Sequence, residues 1–517
     1  MKTIEYNIAQ EQRFADIQAA LQAHVPLDAR PPKTLVKYVL DSDDWRLYQR
    51  DLTLTAVRDD QHTHLELRRL HKHKTKCDLD IEVLPRFVSD IPSGDWRQKL
   101  SPVLDVRALI PQAELHVKQH PLFTEKAGRT VLRAYIEDTR VRMPDGRFRP
   151  LGHRLKLLRQ NRKDRCFKKA RRAVENTCQL SRAKHDEPLL AALDQLSVIP
   201  AGYTGKPRYT VDAAQRSDEA TRHILLELLD IMEHNEAGIV DDIDTEFLHD
   251  FRVAVRRTRS ALGQIKEVFP QSAVNDFRRR FAWLNAITGD ARDLDVYLLH
   301  FDQFTQRLPP PLRPHLEPLH GFLRGQRAAA LHNVANTLQS QRYHRLKADW
   351  RLFLTTTPSP GTLPAHAGEP VKTTADRCIW KAYRRVARQG AAITPASPAE
   401  EVHELRKSCK KLRYLLEFFH ACYAGEKIDK LIKSLKKLQD YLGRYQDLHV
   451  QSLCLKSFDR QMALAQQLQP RTHEAIETLR QILNDTQSTM RQQFDDYFAI
   501  FARPSNRRRY RRLFKTH

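Results

Sequence analysis

Residues 249–259 read His249-Asp250-Phe251-Arg252-Val253-Ala254-Val255-Arg256-Arg257-Thr258-Arg259, and residues 403–413 read His403-Glu404-Leu405-Arg406-Lys407-Ser408-Cys409-Lys410-Lys411-Leu412-Arg413. The differences 403 − 249, 406 − 252, 410 − 256, 411 − 257 and 413 − 259 all equal 154. Gly289 and Gly443 keep the offset, and so do Asp293 and Asp447. One offset held over roughly forty residues marks an internal duplication. The chain carries two copies of one cationic device.

Each stretch has the period of an amphipathic helix. With His249 at 0° and about 100° per residue, Arg252 falls near ~300°, Arg256 near ~340° and Arg259 near ~280°. Phe247, Leu248, Phe251, Val255 and Leu262 fall between about 160° and 260° and predict a buried face. Arg257 lies off the stripe, near ~80°. The second copy sets His403, Arg406, Lys410 and Arg413 on the stripe, with Val402, Leu405, Cys409, Leu412 and Leu416 facing inward. Like charges at this spacing cost an isolated helix a few tenths of a kcal/mol per pair. A polyanion would remove that cost. Arginine offers phosphate oxygens a bidentate fork, and lysine offers a movable point charge. A histidine beside bound phosphates is driven to its protonated, two-donor form. A stripe of eleven residues spans about 16 Å, enough to follow several phosphates of a chain.

Other residues extend the device. Arg279 and Lys433 are also 154 apart and are expected on the same surface, as are Arg257, Lys407 and Lys411. Asp293 and Asp447 read as acceptors that orient the motif arginines, or as exposed acids that aid solubility. A zinc site between His249 and His403 is disfavoured. The two come from separate copies, and no cysteine or carboxylate stands at a ligand-like spacing.

Composition points the same way. The 517 residues carry 87 Lys plus Arg against 63 Asp plus Glu, a formal charge of +24, which attracts polyanions. Hydrophobic residues make up 41%, enough for two to four domains with sizeable cores. The seven cysteines, Cys77, Cys166, Cys178, Cys378, Cys409, Cys422 and Cys454, form no C-x-x-C pair and read as reduced thiols. The start Met1-Lys2-Thr3-Ile4-Glu5 lacks the apolar stretch of a signal peptide, and no apolar run reaches membrane-spanning length. These features predict a soluble cytoplasmic protein that does not engage a membrane.

Residues 1–205 read as mixed strand and helix. Leu52–Arg58 is rich in β-formers and His64–Arg68 alternates. Pro144-Asp145-Gly146 predicts a hairpin turn between Arg140–Met143 and Arg147–Arg149. Short turns between strands imply an antiparallel sheet that closes or nearly closes. Residues 212–350 and 371–500 read as helical repeats, joined by a Pro/Gly/Thr-rich exposed linker over 355–370. Five prolines between Arg307 and Pro318 should break helices. Ser397-Pro398-Ala399-Glu400 predicts a capping box for the second motif helix, and Asp244 a less perfect cap for the first. The tail 503–517 has seven basic residues and no acid. It reads either as a disordered end that binds nothing specific or as a flexible arm that adds electrostatic grip.

The duplicated residues resemble the CHAD family of α-helical domains. The family pattern is close to His-x-x-Arg-Val-x-x-Arg-Arg-x-Arg followed by Gly-x-x-Arg-Asp-x-Asp-Val. His249 to Arg259 and Gly289 to Val296 fit it. The second copy fits through His403, Arg406, Lys407, Lys410, Arg413 and Tyr414, and departs at Gln446 and His449. The resemblance spans about 215–500. It implies two helical bundles about a pseudo-twofold axis, with a basic central channel that binds inorganic polyphosphate. It also implies association with polyphosphate granules, as in some relatives. More faintly, the front of the chain resembles the CYTH, or triphosphate-tunnel, fold through Tyr38–Leu47. Of that family's Glu-x-Glu-x-Lys signature only Glu5 survives, and the later acidic strand has become His153-Arg154-Leu155-Lys156-Leu157. Metal-assisted phosphate chemistry needs clustered carboxylates, so their loss predicts no working triphosphatase. Arg154 to Arg172 still has ten Lys or Arg and one acid, enough to hold anions.

The expected fold is α+β: an N-terminal antiparallel, tunnel-like sheet domain, then an all-α domain of two pseudo-symmetric helical bundles. The expected function is polyphosphate binding with no catalytic residue, cofactor or metal. Competing readings are a nucleic-acid binder, a CYTH-type tripolyphosphatase, and a scaffold for an acidic protein. The first is weakened by the scarcity of aromatics, 8%, for base stacking.

Overall fold

The structure is a computed structural model that describes residues 2–9, 11–70, 75–160, 165–184, 186–205, 207–357 and 363–515. Part of the predicted linker, part of the basic stretch after Arg154, the last two tail residues and the side chain of Cys77 lie outside what is described. The chain divides into two compact units, Met1–Thr204 and Gly205–His517.

The first unit runs β1 (Lys2–Ile8), α1 (Phe14–Gln22), β2 (Asp28–Ala29), β3 (Lys33–Asp41), β4 (Leu52–Arg58), β5 (Thr63–Arg69) and β6 (Thr75–Ile81). It continues with α2 (Asp95–Leu104), β7 (Ile110–Lys126), β8 (Arg129–Arg142), β9 (Phe148–Arg159), α3 (Cys166–Arg172), β10 (Ser181–Arg182) and α4 (Glu187–Gln195). The strands form one antiparallel sheet in the order β10-β1-β9-β8-β7-β3-β4-β5-β6, with β2 on β7. No pairing among the described strands joins β6 to β10, so the ladder stays open. The predicted strand 52–58 is β4. The predicted hairpin joins β8 to β9, with Gly146 at φ 81° and the Asp145 carboxylate accepting from the Arg147 amide at 2.9 Å.

Alternation along β1 sorts its side chains between two environments. Ile4, Tyr6 and Ile8 belong to an apolar core with residues of α1 and α3. Glu5 points the other way, into a small cavity over the opposite face of the sheet. The sheet is consistent with a CYTH-like tunnel.

The second unit is helical: α5 (Ser217–Val240), α6 (Thr245–Gln264), α7 (Gln271–Ile287), α8 (Gly289–Leu299), α9 (Phe301–Arg307), α10 (Glu317–Leu338) and α11 (Gln341–Thr355). Then come α12 (Val371–Ala392), α13 (Ala399–Phe418), α14 (Gly425–Leu464), α15 (Pro470–Arg491), α16 (Phe494–Ala502) and α17 (Pro504–Phe514). The duplication is visible in these boundaries. α13 begins and ends 154 residues after α6, α12 begins 154 after α5, and α14 begins 154 after α7. Where the first copy turns at Thr288 between α7 and α8, the second runs straight through as α14.

Contacts between residues that are each other's counterparts mark the axis relating the copies. Arg216 and Pro370, 154 apart, form an isolated antiparallel bridge. The Ser217 amide donates to Glu369 O and the Val371 amide donates to Gln215 O, both at 2.8 Å, so each bond is the image of the other. Tyr297 donates its hydroxyl to the carbonyl of its own counterpart, Gln451, at 3.0 Å. A shared apolar core joins α8, α9 and α10 of the first copy to α14 and α15 of the second.

Three expectations are corrected here. Ser397 does not cap α13. Its hydroxyl accepts from the Thr394 amide at 3.1 Å, closing the preceding turn, and the helix starts behind Pro398. Asp244, the weaker candidate, does cap α6, accepting from the Glu246 amide at 2.9 Å. The described end of the linker, 363–370, is anchored as well as exposed: Ala365, Gly368 and Pro370 are exposed as expected, but Ala367 is fully buried and Glu369 and Pro370 pair on the axis. The tail is a helix, α17, because Asn506, Tyr510 and Phe514 give it one buried face.

Candidate functional site

The motif helices α6 and α13 pack against each other with their buried faces turned into their own bundles. That leaves the cationic stripes facing across the boundary between copies. Two adjoining cavities open there, of 740 and 560 Å³, and they share Arg256, Lys410 and Tyr414. Arg256 and Lys410 are counterparts by the 154 offset, so this waist lies on the pseudo-twofold axis.

The wider cavity is lined by Arg256 and Arg259 from α6, Arg278 and Arg279 from α7, Arg385 from α12, and Lys407, Lys410 and Lys411 from α13. No acid lines it. The narrower one adds Arg406, Arg413 and Arg444 and admits two acids, Asp440 and Asp447. Most of this charge is uncompensated. Among the described residues, no ion pair holds Arg256, Arg259, Arg278, Arg385, Lys410, Lys411 or Arg444. Arg279 pairs with Asp276 at 3.0 Å, Arg406 with Asp447 at 3.3 Å, and Lys407 with Glu404.

The proton equilibria record the crowding. Burial, and then the charges of Arg406 and Arg256, push the Lys410 ammonium down to about 8. Lys411 is lowered by burial and by Arg385 and Lys407, and Arg259 by burial and by Arg278. Burial raises the Asp447 carboxyl, against the pull of Arg406 and Lys410.

Six of the predicted residues lie in the wide cavity: Arg256, Arg259, Arg279, Lys407, Lys410 and Lys411. Arg406, Arg413 and Asp447 lie in the narrow one. His249, Arg252, Arg257, Asp293, His403 and Lys433 line neither. Arg252 donates to Asn285 O at 2.9 Å and to Thr288 Oγ1 at 2.8 Å, tying α6 to the end of α7, and burial lowers its pKa to about 10. Arg257 is buried. It pairs with Glu417 at 2.8 Å and stands 5.8 Å over the Tyr414 ring, fastening the two copies together. Glu417 also accepts from Arg413 at 2.6 Å. Its counterpart is Gly263, so Lys411, the counterpart of Arg257, has no such acid and faces the cavity. His249 and His403 are half-buried, and among the described residues no cluster of His, Cys, Asp and Glu could hold a metal ion.

Sequence reasoning missed Arg278, Arg385 and Arg444. Their counterparts are Ile432, Ile231 and Asp290, so a search for positions kept in both copies passes over them.

The cavity of the first unit differs in kind. Glu5, Glu66 and Glu137 line it, and each has a cation against it: Arg154 on Glu5 at 3.3 Å, Arg68 on Glu66 at 2.6 Å and Lys156 on Glu137 at 2.9 Å. Lys37 lines it too, its pKa lowered by burial and then by Lys156. Glu66 is held down at about 2; burial alone would raise it, and His64, Arg68 and Lys37 outweigh that. Carboxylates already neutralised by lysine and arginine do not fit the divalent metal that the CYTH resemblance implies. Glu66 and Glu137 were not anticipated, because they lie on β5 and β8, away from the family's signature strand.

A duplicated helical unit with a cationic seam between its copies is the class that fold and site define. Residues 223–456 match the family model described as CHAD domain, and over that stretch the chain carries a CHAD domain. Among solved structures, the crystal structure of the CHAD domain from the plant Ricinus communis is similar at 27% identity and TM-score 0.48, over 57% of this chain and 95% of that chain. PptA from Streptomyces chartreusis is similar at 14% identity and TM-score 0.44, over 55% of this chain and 99% of that one. No curated protein matches the chain. No described helix is long and apolar enough to cross a membrane.

Proposed function

We propose that the seam between the two copies binds inorganic polyphosphate without catalysis. One observation carries the reading: cations from α6, α7, α12, α13 and α14 converge on two adjoining cavities, and most have no carboxylate partner among the described residues. Such a site stores mutual repulsion that a flexible polyanion relieves. The wide cavity has one tyrosine and no other aromatic, which suits a ligand with charge and no bases to stack. The family pattern of the motif helices supports the same ligand. Asp447, paired with Arg406, holds one guanidinium at the rim. Localisation to the cytoplasm and to polyphosphate granules follows as part of the proposal; imaging the tagged protein in cells with and without polyphosphate checks it.

The test is a titration with polyphosphates of defined length, with duplex DNA as competitor. Replacing Arg256, Arg259, Lys410 and Lys411 by glutamine should weaken binding at least ~100-fold, since a hydrogen bond to a charged group contributes about 1.5–3 kcal/mol. The salt slope should fall by about one per cation removed. Unchanged affinity in that variant would refute the site. DNA displacing polyphosphate at equal phosphate concentration would favour a nucleic-acid ligand instead.

A further inference from the structure

The basic tail is not absorbed by the seam. α17 stands behind a break at Arg503 and Pro504, and it runs past the point, residue 509, where the counterpart of α11 would end. Its buried side is fixed by three anchors. Tyr510 stacks on Tyr383 of α12 with centroids 3.9 Å apart, Phe514 meets the Tyr423 ring edge-on at 5.0 Å, and Asn506 donates to Ser434 of α14 at 2.6 Å.

The rest of its surface is mostly cationic, with Pro504 and Ser505 exposed beside the arginines. Arg503, Arg507 and Arg511 recur every four residues, with Arg508, Arg512 and Lys515 beside them, and all six are exposed. No acid occurs between Arg503 and Lys515. Among the described residues none of the six is ion-paired. Like charges at i, i+4 cost the helix a few tenths of a kcal/mol each, so the anchors hold α17 folded against its own repulsion.

The position of this face is informative. Arg385, which lines the wide cavity, sits on α12 two residues after Tyr383, the residue on which α17 is stacked. Tyr383 and Arg385 lie about 200° apart on α12, so α17 packs on the far side of the helix that walls the seam, and a chain leaving the seam reaches α17 by crossing α12. Arg384 and Arg388, also on α12, are exposed.

We propose that α17 is an outer track for the same ligand: a polyphosphate chain too long for the seam passes over α12 and lies along α17. The track adds affinity for long chains and none for short ones. This rests on the polyphosphate reading of the seam. α17 is about 16 Å long, so it offers a second run of phosphate contacts comparable to a motif stripe.

The experiment compares a polyphosphate short enough to fit the seam with one several-fold longer. It uses the full chain, a variant with Arg507, Arg508, Arg511 and Arg512 changed to glutamine, and a seam variant with R256Q and K410Q. Circular dichroism confirms that each is folded. The expected result is that the α17 variant binds the short chain as wild type does and the long chain at least ~10-fold more weakly, with a shallower salt dependence. The seam variant should lose both. Long-chain affinity unchanged in the α17 variant overturns the track while leaving the seam intact. Short-chain affinity unchanged in the seam variant overturns the seam reading and the track with it. If the α17 variant loses only duplex DNA or anionic-vesicle binding, the surface serves another partner and the track is wrong.

Discussion

At the scale of single residues, neutral and charged forms are set by burial against neighbours. The Lys410 ammonium at about 8 lies below the 10.5 of an ordinary lysine. The unfolded chain therefore binds one more proton than the folded one between those values, and that term makes stability rise with pH across the window. Lys410→Met removes it. The variant should be more stable than wild type at pH 7, and its advantage should shrink as pH rises from 8 to 10; a constant difference in denaturant midpoint would show that Lys410 is freely hydrated. Polyphosphate should raise this pKa and be accompanied by proton uptake near pH 8. In the first unit, Glu137→Gln leaves Lys156 buried without its partner. Breaking such a pair costs about 3–5 kcal/mol, readable by urea unfolding, and a loss below about 1 kcal/mol would mean that water reaches the lysine. Residue roles were only partly legible in sequence. The helical wheel placed Arg256 and Lys410 on the stripe, and both meet at the waist. It also placed Arg252 there, but a side chain's partners decide where it ends up: the carbonyl of Asn285 captures it. The departures at Gln446 and His449 have a physical account. In the first copy Arg292 reaches Glu246 at 3.7 Å, and Asp295 is bound by Arg327, which also grips Asp242. In the second copy Arg327 and Asp242 become Gln481 and Ala396, so that network is lost together with Asp295 and Arg292.

At the scale of elements, the period of 3.6 and the single offset were enough to place the two motif helices. The strands at 52–58 and 63–69 and the hairpin at Asp145-Gly146 were equally plain, because alternation and turn chemistry are local. Caps were half legible: Asp244 caps α6 as expected, whereas Ser397 closes the preceding turn rather than capping α13. Close helix approaches were invisible: they depend on partners far along the chain. A Cβ on Gly390 of α12 would stand 2.0 Å from the Phe498 ring of α16. Gly390→Ala should therefore destabilise the second unit by about 1–3 kcal/mol, read from its thermal or denaturant transition. Gly443, inside α14, meets only Arg406 at 3.9 Å. Gly443→Ala should be neutral or stabilising by up to about 1 kcal/mol, as the helix propensities require. Equal effects at the two glycines would contradict the packing described.

At the scale of the whole chain, duplication explains why charge gathers where it does. Each copy buries one face of its motif helix, and the axis turns the remaining faces toward one another. Symmetry made the site readable and divergence hid part of it: Arg278, Arg385 and Arg444 enter the seam from positions where the other copy has Ile432, Ile231 and Asp290. The cavity of the first unit follows a different logic: Glu5, Glu66 and Glu137 are each paired with a lysine or arginine, so its cations are already answered by acids. The most direct test of the account is a crystal structure of the protein grown with polyphosphate. It should show phosphate oxygens within hydrogen-bonding distance of both Arg256 and Lys410, with the chain crossing between the copies. A fully occupied polyphosphate that touches neither residue, bound instead over the sheet of the first unit, would contradict it.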